Sequence, residues 1–178
     1  MKAFLAMATS PSRGWRPKLP YLTVTLIWGL AYVRLFIDPT PHSPLLFNWT
    51  PSLPYRVALL SHDVRPPHRG ELIIFAFDGP VQEAYPGLRG QPFFKIVRGL
   101  PGDRITVADH QVAVNGESMG AAKPHAWDGR PLTPITPGVI PAGHYYVQGT
   151  SPDSFDSRYR ESGLVAADQV IGHVMPLF

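Results

Sequence analysis

Residues 93–116 read FFKIVRGLPGDRITVADHQVAVNG, and this stretch sets the fold class. Phe93–Arg98 is a short run of aromatic and β-branched residues that ends at the turn-forming Leu100-Pro-Gly-Asp103. Arg104–Ala108 and Gln111–Val114 flank Asp109-His110, and Asn115-Gly116 closes the second run. Short runs parted by two-residue turn signals read as β-hairpins. Working outward, Glu71–Phe77 (ELIIFAF) follows a turn at Arg69-Gly70, and His144–Gln148 (HYYVQ) and Gln169–Met175 complete the strands. Between Glu117 and Pro141 five prolines and little periodicity predict a loop excursion over 117–141. Twenty-one prolines and sixteen glycines in 178 residues also suit short strands and many turns. The expected fold is mainly β, with antiparallel sheets and no internal repeat.

The amino end has a different character. Lys2, Arg13, Arg16 and Lys18 precede an apolar run from Tyr21 to Ile37, and no acidic residue occurs before Asp38. A membrane-spanning helix needs about 20 apolar residues, with a range of about 17–25. The run lies at the short end of that range, and Arg34 sits near its far end, where a long side chain can snorkel to the interface. No Ala-x-Ala cleavage site follows, so an uncleaved anchor is expected. The positive flank predicts that residues 1–20 are cytoplasmic, 21–37 cross the cytoplasmic membrane once, and 38–178 are exported to its periplasmic side. Residues 38–54 are proline-punctuated, and Phe47 and Trp49 suit either the headgroup level of a bilayer or burial in the domain.

Composition removes several classes of function. With no cysteine, disulfides, thiolate catalysis and cysteine–zinc sites are excluded. Seven histidines show no metal-ligand spacing, so neither metal nor cofactor is expected. A net charge of +3 without a Lys/Arg run predicts no nucleic-acid partner.

Three separated segments carry the chemistry: Asn48-Trp-Thr-Pro-Ser-Leu-Pro54, Lys95-Ile-Val-Arg-Gly-Leu-Pro-Gly-Asp103, and Gly149-Thr-Ser-Pro-Asp-Ser-Phe-Asp-Ser-Arg-Tyr159. In order and spacing they resemble the three boxes of type I signal peptidases, the serine–lysine peptidases. The Asn-x-Thr-x-Ser-Leu-Pro form is similar to the conjugative-transfer (TraF-type) branch. The resemblance runs from Asn48 to the end of the chain. It departs from the branch at Arg56 and Ala58, where a glycine and a tyrosine are usual, and at Ile96, where an arginine commonly follows the lysine.

The resemblance implies Ser52 as nucleophile and Lys95 as general base. It assigns the oxyanion hole to the Thr50 hydroxyl and the Ser52 N–H, the orientation of the lysine to Ser154, and a supporting acid–base pair to Asp156 and Arg158. Elementary chemistry agrees with the first two roles. A serine hydroxyl needs a base, and a lysine serves only when neutral, so its pKa must fall well below about 10.4. Burial does this. In a strand, Phe93, Lys95 and Val97 share one face, which surrounds the amine with apolar groups. Prolines at 51 and 54 hold the backbone around Ser52. Ser61-His62-Asp63 contains triad letters, but triad members meet in space and sequence neighbours rarely can. Ser118-Met119 imitates a serine box without the following proline.

The expected protein is a membrane-bound serine endopeptidase that removes leader segments from exported precursors, with a pilin precursor as the partner the branch implies. About a dozen residues separate the apolar run from Ser52, which keeps the nucleophile near the bilayer surface. The alternatives are a general leader peptidase and a non-catalytic subunit of a secretion or conjugation apparatus that keeps the fold for binding.

Overall fold

A computed structural model describes residues 18–63, 65–126 and 128–178. Lys2, Arg13, Arg16 and most of the expected cytoplasmic segment lie outside the described residues. The chain divides into two units, Met1–Asp38 and Pro39–Phe178.

In the first unit, α1 (Leu19–Tyr32) continues into a wider π-type turn over Val33–Ile37. It begins two residues before the apolar run read from the sequence, because Pro20 is accepted in a first turn, where a backbone N–H has no partner anyway. Leu19–Ile37 is long and apolar enough to cross a membrane, and none of it is buried in the protein. Asp38 N–H closes the last turn on the Val33 carbonyl at 2.9 Å. The Arg34 guanidinium reaches the same end, donating to the Asp38 carbonyl at 2.9 Å.

The second unit holds β1 (Leu45–Phe47), β2 (Val57–Ser61), β3 (Leu72–Ala76), β4 (Pro92–Gly99), β5 (Arg104–Ala108), β6 (Gln111–Val114), β7 (Glu117–Ala121), β8 (Gly138–Val139), β9 (His144–Gln148), β10 (Val165–Ala166) and β11 (Val170–Pro176). One antiparallel sheet has the order β1-β2-β11-β3-β4-β9-β10, and the other β7-β6-β5-β8. The Leu100–Asp103 turn carries the chain from the first sheet to the second. There the Asp103 carboxylate accepts from Leu100 N–H, Arg69 and Asn115.

The expected loop over 117–141 is corrected at both ends. Its first five residues form β7, because Asn115 (φ 50) and Gly116 (φ 83) make a turn that folds the chain back onto β6. Only Met119 of ESMGA is buried, so the strand leaves almost no apolar alternation to read. Near the other end, Gly138–Val139 adds β8 to β5.

Side chains of β4 alternate between two cores. Phe93 and Val97 pack with Ile73, Phe75, Phe77 and Val147, whereas Phe94 and Ile96 pack with Leu53, Leu60, Leu72 and Val174. Lys95 belongs to the first of these faces and is 5% exposed. A third core joins the smaller sheet to Tyr146 and Tyr159.

Candidate active site

The serine turn is built around Asn48. Its amide nitrogen donates to the carbonyls of Leu53 (3.3 Å) and Tyr55 (2.9 Å). That leaves the amide oxygen to accept from the Thr50 N–H at 3.1 Å and the Thr50 hydroxyl at 2.8 Å. Thr50 Oγ1 lies 2.9 Å from Ser52 Oγ. Since the threonine proton is given to Asn48, the Ser52 hydroxyl is the donor between the two. Ser52 is also held by its main chain, because its carbonyl accepts from Thr150 N–H at 2.9 Å and Ser151 N–H at 3.3 Å. The first and third boxes therefore meet at Ser52.

Lys95 is set from below. Its Nζ donates to Ser154 Oγ at 2.9 Å, and both residues are buried. Burial pushes the amine down to about 8; Asp156 pulls it up and Arg158 pushes it down, in smaller measure. Ser52 Oγ and Lys95 Nζ share no hydrogen bond; the hydroxyl lies against Thr50 Oγ1 and the amine against Ser154 Oγ. A direct contact between the two needs the Ser52 hydroxyl to turn from Thr50 toward the amine.

Behind Ser154, Arg158 and Asp156 form a bidentate pair: Nε to Oδ1 at 2.9 Å and Nη2 to Oδ2 at 3.0 Å. Asp156 is 1% and Arg158 3% exposed. The guanidinium also donates to the carbonyls of Ser151, Pro152 and Ser154, and the carboxylate accepts from Gly149 N–H at 3.0 Å. The pair thus pins the loop carrying both Ser154 and the N–H groups on Ser52.

Two contributors were not assigned roles from sequence. Asn48 organises the serine turn, and its only signal was its place at the head of the box. Gly149 fills a point where a Cβ would lie 2.6 Å from the Ser52 carbonyl oxygen and closer still to Ser154 Oγ. Gly149→Ala should therefore displace both, lowering kcat about 10²-fold or more while the melting temperature shifts much less in proportion. Unchanged turnover in a cleavage assay would show that the clamp does not position Ser52.

The remaining candidates fall away from the site. His62 Nε2 bonds the Pro41 carbonyl at 3.1 Å, and Ser61 Oγ accepts from Asp63 N–H, so the three make no triad. Ser118 is exposed and accepts from Gly120 N–H.

Residues 21–178 match the profile of the family described as signal peptidase, peptidase S26. The chain is 30% identical over 146 residues to a conjugal transfer protein TraF of Agrobacterium fabrum, covering 74% of this chain and 80% of that protein. It is 28% identical over 123 residues to a signal peptidase I of Leptolyngbya laminosa, covering 68% of this chain and 58% of that one. A crystal structure of a signal peptidase I from Enterococcus faecalis is 26% identical, with 62% of this chain and 98% of that chain covered at a TM-score of 0.38.

Proposed function

The chain belongs to the S26 family of signal peptidases, and on that premise we propose that it is a membrane-anchored serine endopeptidase that cleaves leader segments with Ser52 as nucleophile and Lys95 as base. Ser52 Oγ attacks the scissile carbonyl while Lys95 Nζ takes its proton and then passes it to the leaving amine. Water, activated by the same amine, hydrolyses the Ser52 ester. The Ser52 N–H and the Thr50 hydroxyl, once released from Asn48, hold the oxyanion. The observation that carries this reading is the buried amine of Lys95, lowered to about 8 and hydrogen-bonded to Ser154 on the loop that also grips the Ser52 carbonyl.

Similarity to conjugal transfer proteins supports a precursor from a conjugation apparatus, a pilin precursor first. Attachment to the cytoplasmic membrane is supported by the Leu19–Ile37 helix, and the basic residues that precede it in the sequence support an outside position for the second unit. Attachment is supported further by an apolar face exposed on β1, β2 and β11. Leu45, Leu59 and Met175 are cross-strand neighbours there, and Phe47 pairs with Val57, whose N–H donates to the Phe178 carbonyl.

The test is cleavage of a co-expressed candidate pilin precursor, followed by mass spectrometry across pH 6–9.5. Only the neutral amine accepts a proton, so a lysine titrating near 8 gives a rate that climbs about tenfold per pH unit below 8 and levels off above it. A limb near about 6.5 would point to histidine instead. The product should be the linear peptide, with exposed Arg56 standing where the branch has glycine. A product one water lighter would mean that the substrate's own amine had taken the ester.

A further inference from the structure

A cavity of about 620 Å³ lies along β4 just beyond the candidate pair. Neither Ser52 nor Lys95 lines it, but Phe93, two residues before Lys95 on the same strand face, and Phe155, next to Ser154, both do. The opposite walls are Leu88 and Tyr85 from the turns after Pro80, and Leu132 from the loop after β7. Its charged groups are mostly satisfied among themselves: Lys123 pairs with Asp153, Arg130 with Asp128, and Glu161 accepts from Thr133. The Arg130 guanidinium also stacks 4.0 Å over the Tyr85 ring.

Resting on the peptidase reading above, we propose that this cavity is a substrate subsite that takes a bulky apolar side chain of the precursor peptide. The size is that of a ligand pocket and exceeds a single phenylalanine side chain several-fold. Its place gives continuity with the site. β9 ends at Gln148, so β4 from Pro92 to Lys95 has no strand partner on that side, and a peptide at Lys95 passes Phe93 next.

The test is a phenylalanine walk along an alanine-rich model peptide. Binding is measured to the full-length Ser52→Ala protein, and cleavage is measured with the unsubstituted protein. Phenylalanine at one register should tighten binding about tenfold or more over the all-alanine peptide. Leu132→Trp, which fills the cavity, should remove that gain and leave the all-alanine peptide unaffected. Leu88→Trp enters from the opposite wall and serves if the first variant is unstable. Equal affinity at every register overturns the subsite, as does a gain that survives both cavity-filling variants. Retained phenylalanine-dependent binding with no cleavage by the unsubstituted protein would instead overturn the peptidase reading and leave the subsite standing.

Discussion

Ser52→Ala and Lys95→Ala should each lower processing of the precursor by on the order of 10⁴-fold or more, and the double variant should be no worse than either single one. In the proposed mechanism nucleophile and base act as one unit, so removing one empties the other of its role. Ser52 is half-buried in a turn held by Asn48 and by Thr150 and Ser151 N–H groups, none of which bonds its hydroxyl, so the alanine variant should keep its fold. Lys95→Ala removes a buried amine whose one hydrogen bond among the described residues is to Ser154, and it should not unfold the domain either. Initial-rate cleavage assays with thermal melts check both points. More than a few per cent of the rate remaining in either variant would sink the assignment.

Asp156→Ala should cost about 3–5 kcal/mol of stability, because it leaves the Arg158 charge buried without its partner and strips an acceptor from Gly149 N–H. For a domain of this size that corresponds to a fall of about 10 °C in melting temperature. The same change should move the acid limb of the rate profile below pH 8. Asp156 raises the Lys95 pKa and Arg158 lowers it, so losing the carboxylate leaves only the lowering charge. A surface pair would contribute about 0–1 kcal/mol, and an unchanged melting temperature would contradict the burial described here.

The strands from Phe93 to Val114 were legible because Asp109-His110 and Asn115-Gly116 sit between alternating runs, and the chain does adopt positive φ at all four. β1, β2 and β10 were not. Leu45–Phe47 and Val165–Ala166 are too short for periodicity, and Val57–Ser61 reads equally as helix until β11 pairs with it. In the candidate site, residue types and order suggested the chemistry, but contacts between segments could not be read. Nothing in the sequence states that the Ser52 carbonyl is held by the Gly149–Tyr159 segment, or that the serine hydroxyl rests on Thr50 rather than on Lys95. The first follows from how the loop after β9 closes over the serine turn, and the second from Asn48 holding Thr50 inside that turn. The cavity beside Phe93 was equally unreadable, since its walls come from three segments far apart in the chain.

The most direct test of a lysine base replaces only its amine. The chain has no cysteine, so in Lys95→Cys the new side chain is the only thiol, the group that alkylates fastest. Treating the unfolded variant with 2-bromoethylamine and refolding it restores an amine at the same reach, with sulfur in place of one methylene. Precursor cleavage should be absent in Lys95→Cys and should return on aminoethylation, with the acid limb shifted to lower pH because sulfur withdraws electrons from the amine. Cleavage by the unalkylated variant, or a refolded, fully aminoethylated protein that stays inactive, would contradict Lys95 as the base.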